Sequence, residues 1–197
     1  MRVDDKPIAR LPPGHEKSRF DRFASAATVA NGRVIVGTHD GHVLCLDAED
    51  GKRVWDFAAG DSVLSTPVVD AGRVTFGSFD GNVYAVDAAS GALVWMHDTG
   101  APVVSTPTVY EGRVIVGSRS YDLVALDGKT GVPAWTRYIW FSWVESPVAV
   151  LGGTAYVGSS DDARLYAFDA RTGRSVWDLD VHGWAWGQPA VPKSACS

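Results

Sequence analysis

The chain has 197 residues, 46% of them hydrophobic, with a formal net charge of −5 and a sequence pI of about 5.4. That length and apolar content suffice for one sizeable folded unit, and the acidic balance leaves no electrostatic footprint for nucleic acid. No stretch reaches the apolar length of a membrane-spanning helix, and the two cysteines, Cys45 and Cys196, form no disulfide framework or metal-ligand spacing.

Residues 1–22 mix Arg2, Lys6, Arg10 and Arg22 with Asp4, Asp5, Glu16 and Asp21. They contain no apolar signal region and no small-residue cleavage site, so they read as an irregular, solvated leader. From residue 23 one pattern is written four times, at about 23–60, 61–100, 101–140 and 141–182, each copy closing on a tryptophan. Trp55, Trp95 and Trp135 are 40 residues apart, and Trp177 follows after 42. A period of this size, built from short strands, is the signature of a β-propeller. The expectation is an all-β partial propeller of four four-stranded blades. Gly187-Gln188-Pro189-Ala190-Val191 opens a fifth at 183–191, and 192–197 form a tail that abandons the pattern.

Each unit opens on an innermost strand with a Ser/Thr-Pro step, at Ser65-Thr66-Pro67, Ser105-Thr106-Pro107 and Ser146-Pro147. Proline has no N–H to donate, which suits a strand start or an edge. A Gly-Arg turn leads to a second strand ending at Gly37, Gly77, Gly117 and Gly158. Asp40-Gly41 and Asp80-Gly81 then predict hairpins with type I′ turns, both central residues at positive φ. Ser120-Tyr121 and Asp161-Asp162-Ala163 stand there in the later units and are harder to assign; the acidic pair reads as a solvated turn. The third strand is apolar on both faces, as in Val83 and Ala85 against Tyr84 and Val86, so both faces need cover from neighbouring sheets.

Every unit ends on Asp, four residues to Gly, four more to Trp: Asp47-Gly51-Trp55, Asp87-Gly91-Trp95, Asp127-Gly131-Trp135 and Asp169-Gly173-Trp177. Recurring once per unit in a turn, these carboxylates read as turn acceptors and not as a catalytic set. The glycines read as left-handed turn residues, and the tryptophans as buried rings on outer strands. Cys45 stands where other units have Ala85, Ala125 and Ala167, and reads as a small buried filler. His15, His39, His42, His97 and His182 have no ligand spacing, so no metal site is expected.

Repetition does not explain a second set of aromatics. Trp140, Phe141 and Trp143, with Tyr138 before them, enter the fourth unit, and Trp184 and Trp186 enter the fifth, where earlier links are small and aliphatic. Aligned on the proline, Trp143 replaces Val63 and Val103, and Glu145 replaces Ser65 and Ser105. These six residues, Trp140, Phe141, Trp143, Glu145, Trp184 and Trp186, are the candidate binding patch, since clustered aromatics are typical interface anchors. The competing reading has the rings filling a wider gap between blades, with a solvated carboxylate.

The Ser-Pro strand, the Val-Gly-Ser-x-Asp-Gly hairpin and the Ala-x-Asp-Ala-x-Thr-Gly-x-x-x-Trp ending together resemble the repeat of the pyrroloquinoline-quinone-like (PQQ-like) β-propeller family, over about residues 23–191. The resemblance includes the propeller lipoprotein of outer-membrane barrel assembly and implies a non-catalytic scaffold for a protein or peptide partner, without cofactor. The alternatives it leaves open are a fragment of a quinoprotein dehydrogenase or the sensor domain of a larger envelope receptor. The family's dehydrogenases use an adjacent Cys-Cys pair, a Ca²⁺ site and a catalytic Asp, and no such set stands out here, so the chain is not expected to be an enzyme. The resemblance implies a periplasmic location; the chain taken literally, with no export signal, would be cytoplasmic. Family propellers usually have seven or eight blades, so four lead to the expectation of an interrupted frame or of two chains pairing to complete one ring.

Overall fold

Short apolar runs separated by glycine turns fold into four consecutive antiparallel sheets. The computed structural model describes residues 25–139 and 142–182. The first sheet holds β1 (Thr28–Ala30), β2 (Arg33–Gly37), β3 (His42–Asp47) and β4 (Arg53–Ala58), and the second β5 (Val68–Asp70), β6 (Arg73–Gly77), β7 (Asn82–Asp87) and β8 (Leu93–Asp98). The third holds β9 (Thr108–Tyr110), β10 (Arg113–Gly117), β11 (Asp122–Asp127) and β12 (Pro133–Tyr138). The fourth holds β13 (Ala149–Leu151), β14 (Thr154–Gly158), β15 (Arg164–Asp169) and β16 (Ser175–Asp180). Strands pair in chain order within each sheet, the up-and-down blade of a propeller, and the described residues form a partial all-β propeller. The predicted first strand of a fifth blade lies outside the described residues.

The core lies between blades, not within them. One apolar cluster joins Ile35, Val43, Cys45 and Trp55 of blade one to Val74, Phe76, Tyr84 and Val86 of blade two. A second joins Val83, Ala85 and Trp95 to Val114, Val116, Val124 and Leu126, and a third joins Ile115, Leu123 and Ala125 to Ala155, Val157 and Phe168. Blades two and three therefore bury both faces of their third strand, from Val83 to Val86 and from Leu123 to Leu126.

Tryptophan fixes each junction. Trp55 Nε1 donates to the carbonyl of Ala88 at 3.0 Å, Trp95 Nε1 to Gly128 at 3.0 Å, and Trp135 Nε1 to Ala170 at 3.2 Å, each on the following blade. The ring lies flat on that blade's turn glycine. A Cβ added at Gly91 would come within 2.8 Å of the Trp55 ring, and at Gly131 or Gly173 within 2.7 Å of Trp95 or Trp135. These glycines thus serve both a positive φ and a ring's close approach. The ring needs room on its own sheet as well, so the residues opposite are Cys45, Ala85, Ala125 and Ala167. A β-bulge follows each of these pairs, between Cys45 and Leu46 and at the matching places in the other blades.

Two expectations are corrected. The four tryptophans are not equally buried: Trp55 and Trp95 are 7% and 6% exposed, Trp135 is half-buried, and Trp177 is 41% exposed. No described residue lies beyond Trp177 to cover it; it leans on Tyr156 of its own blade. The type I′ turns also sit elsewhere. They join the first two strands of each blade, at Asn31-Gly32, Ala71-Gly72, Glu111-Gly112 and Gly152-Gly153, where both residues have positive φ. At Asp40-Gly41 and Asp80-Gly81 only the glycine does, and Thr38 N donates to His42 O while Gly41 N donates to Thr38 O. This is a three-residue loop, a type I turn followed by a left-handed residue. Tyr121 takes that left-handed place at φ 69°, and Ala163, at φ 54°, ends the four-residue loop of blade four, where Ser159 N donates to Arg164 O.

Replacing Trp95 by Ala is expected to cost ~3–5 kcal/mol in denaturant unfolding, and the exposed Trp177 about 1 kcal/mol or less. Gly131→Ala, which drives a methyl into Trp95, should cost roughly 2–4 kcal/mol. Gly51→Ala, with open space around its Cβ, should cost only the backbone strain of ~1–2 kcal/mol. Equal losses at Gly51 and Gly131 would show that the ring contact contributes nothing.

Candidate functional site

The turn between the second and third strands and the link to the next blade lie together at one end of the sheets. Val63 N donates to Thr38 O, Val103 N to Ser78 O and Val144 N to Ser118 O. In return Phe79 N donates to Ser62 O, Arg119 N to Pro102 O and Ser160 N to Trp143 O. These contacts align the links residue by residue and correct the proline alignment. Val144, not Trp143, is the counterpart of Val63 and Val103, and each of the three valines packs against the glycine ending a second strand, at Gly117, Gly37 and Gly77. Ser146 matches Ser65, since their hydroxyls donate to Gly158 O at 2.9 Å and to Gly77 O at 2.8 Å. Proline misleads because its position asks only for a carbonyl acceptor. Thr28 Oγ1 donates to Pro67 O at 2.5 Å, and Thr108 Oγ1 donates at 2.6 Å to Val148.

Trp143 therefore takes the place of Ser62 and Pro102, and Glu145 that of Leu64 and Val104. Where the sister links put small or aliphatic side chains, this one puts a ring that stays 39% exposed. Beneath it lies Arg119, from the turn between β10 and β11. Its guanidinium carbon is 4.8 Å from the Trp143 ring centre and 5.2 Å from that of Phe79, on the turn of blade two. Arg119 Nε donates to Glu145 Oε1 at 2.7 Å, and the two side chains are only 21% and 11% exposed. A cation held between aromatic rings with its counter-ion, partly out of water, is worth more than a surface pair. The carboxylate is neither solvated nor free to coordinate a ligand, which departs from both sequence readings.

The link itself is held by polar contacts. Ser160 Oγ donates to Trp143 O at 3.2 Å and to Asp161 Oδ2 at 2.7 Å, and Asp161 N donates to Ser142 Oγ at 2.8 Å. Asp162 accepts from the hydroxyls of Tyr166 and Ser159, so only its neighbour Asp161 fits the expected solvated turn. Tyr138 and Tyr121 meet edge to face at 6.2 Å. Of the sequence candidates, Trp143 and Glu145 share one cluster, while Trp140, Phe141, Trp184 and Trp186 lie outside the described residues. Arg119 was missed; it fills the variable position of the Ser-x-Asp-Gly pattern, and the only nearby signal is that Ser120-Tyr121 replace Asp-Gly after it.

The repeated carboxylates close turns. Asp87 Oδ1 accepts from Ala89 N, Ser90 N and Ser90 Oγ, and Asp127 and Asp169 accept in the same way from Lys129 and Thr130 and from Arg171 and Thr172. Hydroxyl bonds from Ser90, Thr130 and Thr172 lead the causes that hold these three carboxyls below the ordinary value. Asp47 accepts from Glu49 N and pairs with Arg33. Cys45 is fully buried opposite Trp55, and burial pushes its thiol up, away from the reactive thiolate. Among the described residues no three His, Cys, Asp or Glu side chains converge to hold a metal ion.

A family model described as outer membrane protein assembly factor BamB matches residues 9–81, 67–142 and 139–194. The chain belongs to this PQQ-like β-propeller family. Over 66 residues, 34% of the chain, it is 40% identical to the 1-butanol dehydrogenase (quinone) of Thauera butanivorans, and it covers 10% of that protein. Over 46 residues, 23% of the chain, it is 46% identical to the beta-alanine-activating enzyme of Danio rerio, covering 4% of it. Among solved structures, the quinohemoprotein alcohol dehydrogenase ADHIIG of Pseudomonas putida HK5 matches with a TM-score of 0.72 and 20% identity, over 80% of this chain and 34% of that one. BamB of Moraxella catarrhalis matches at 0.63 and 21%, over 79% of this chain and 61% of that one. The chain thus spans about a third of the first of these structures and a tenth or less of the two sequence relatives. At these identities the structural likeness concerns the fold. No helix among the described residues is long and apolar enough to cross a membrane.

Two outcomes follow. Replacing Arg119 by Met leaves Glu145 unpaired and should cost ~1–3 kcal/mol, while a cycle with Glu145→Gln should show ~1 kcal/mol or more of coupling. Additivity within ~0.5 kcal/mol would mean that the ion pair is idle. The lowered turn carboxyls contribute stability that is present above the ordinary carboxylate pKa and lost as pH falls through their folded-state values. Melting temperature should therefore drop on acidification below about pH 4, and Asp127→Asn should flatten that drop. An unchanged pH profile in this variant would count against the turn's role.

Proposed function

We propose that this chain is a non-catalytic propeller scaffold that holds a protein or peptide partner at the link end of blades two to four. The observation that carries the proposal is Trp143. A large ring replaces Ser62 and Pro102, remains 39% exposed, and is propped over Arg119 and Phe79 in place of sinking into a blade junction. Exposed, rigidly backed tryptophans anchor interfaces. Membership in a family described by an outer membrane assembly factor supports a place in cell-envelope protein assembly, on the periplasmic side. Of the partner arrangements, a protein ligand at this face is the one the geometry favours; nothing in the blade junctions singles out pairing of two chains.

A second reading is favoured by the 40% identity to a quinone-dependent dehydrogenase: blades one to four are then part of a longer enzyme. The two separate on titration with pyrroloquinoline quinone and Ca²⁺, where a stoichiometric complex seen in the visible spectrum supports the enzyme. For the scaffold, a photo-crosslinking residue at position 143 should trap a defined envelope protein that the same residue at position 129 does not. Trp143→Ala should abolish copurification of that protein without lowering the melting temperature by more than a few degrees. Identical products from both positions would sink the scaffold reading.

A further inference from the structure

We infer that the link end takes a cationic, extended peptide segment, one rich in Lys or Arg; this rests on the scaffold reading above and specifies its partner. The argument is the uneven distribution of charge between the two ends of the blades. Third strands begin, and outer strands end, on the side of the links. The loops and strand ends there carry Asp40, Asp61, Asp80, Asp98, Asp122 and Asp161. None of these six is in an ion pair with a described side chain. Each accepts from neutral groups: Asp40 from Thr38 Oγ1, Asp61 from Ser62 N, Asp80 from Tyr84 and Asn82 N, Asp98 from Gly100 N, Asp122 from Ser120 and Asp161 from Ser160. The cation in their midst, Arg119, is committed to Glu145. His42, at the start of β3, is committed to Asp56 at 2.6 Å.

At the opposite end the balance differs. Asp47 pairs with Arg33, Asp50 with Lys52 at 2.6 Å, and Glu111 with Arg171 through two hydrogen bonds of 2.6 and 2.7 Å. Asp87, Asp127 and Asp169 at that end make no ion pair, but each lies in the field of a nearby cation, Arg73, Lys129 and Arg171. At the link end Arg119 and Arg164 are taken up by Glu145 and Asp178, so the six aspartates there are left with less cationic company. Asp161 is the one of these carboxylates that lies against the exposed Trp143, whose backbone N approaches Asp161 Oδ2 at 3.5 Å. A ring that already backs one guanidinium, with an aspartate beside it on an acidic end of the blades, suits the aliphatic stems and charged heads of Lys and Arg. An acidic or purely apolar segment would leave the same carboxylates desolvated and unpaired.

The test uses the full chain and two short fluorescein-labelled peptides, one alternating Lys with Leu and one alternating Glu with Leu, read by fluorescence anisotropy. The Lys peptide should bind and the Glu peptide should not, and affinity should fall about tenfold or more between ~20 and ~300 mM NaCl. Asp61→Asn/Asp161→Asn should weaken binding about fivefold or more, whereas Glu49→Gln/Asp50→Asn at the opposite end should leave it unchanged. Equal weakening by the two pairs, or equal binding of both peptides, overturns the inference. Failure is distinguishable from failure of the scaffold reading. If residue 143 still traps its envelope protein while that complex ignores salt and the link-end aspartates, the scaffold stands and its partner is not basic. If the Lys peptide behaves as stated but nothing is trapped at 143, the charged end is real and the protein-scaffold reading falls.

Discussion

A tryptophan lying on the glycine of the next blade is the contact on which the other features depend. The ring's N–H needs an acceptor and its face needs a flat partner, and one Asp-x-x-x-Gly turn supplies both. Trp55 finds Ala88 O and Gly91, Trp95 finds Gly128 O and Gly131, and Trp135 finds Ala170 O and Gly173. The small residue opposite each ring, the bulge beside it and the carboxylate that shapes the turn all follow from seating that indole. Blade faces are then brought close enough for Val, Ile, Leu and Phe side chains to bury themselves between sheets.

This architecture separates the two ends of each blade. The end with the Asp-x-x-x-Gly turns is occupied by the junction, and its carboxylates either pair with arginine or lysine or close the turns themselves. The other end carries links whose backbone is fixed by the same few hydrogen bonds in all three described links, donated by Val63 N, Val103 N and Val144 N to Thr38 O, Ser78 O and Ser118 O. Side chains there vary without disturbing the fold, so Ser62, Pro102 and Trp143 can occupy one position. Specificity on such a scaffold belongs where the backbone is constant and the side chains are free.

The repeat made the blades legible, because a period of 40 and a two-faced apolar third strand leave few alternatives. Two local details were not. Aspartate-glycine suggested a type I′ hairpin, but the loop holds three residues and asks for positive φ only at its last, which is why Tyr121 can serve, and Ala163 does the same at the end of a four-residue loop. Proline looked like a fixed marker, yet register is set by Val144 against Gly117 and Ser146 against Gly158, so the proline slid by one and carried the predicted site with it. Arg119 stands at the variable position of the turn, where the sister units have His39 and Phe79, next to Ser120-Tyr121, which break the pattern. Its burial under Trp143 and its pairing with Glu145, 26 residues away, are tertiary facts that a linear pattern does not hold.

The junction has a polarity: ring on one side, glycine and carbonyl on the other. Such a contact is heterologous, the kind that builds open arrays as readily as closed rings. Any unit bearing both halves can follow any other, so duplication or loss of a whole repeat leaves every remaining junction chemically unchanged. Blade number is accordingly a property of curvature and not of recognition, and a lineage can lengthen or shorten such a protein by units while a substitution in a single glycine is felt by the tryptophan of its neighbour.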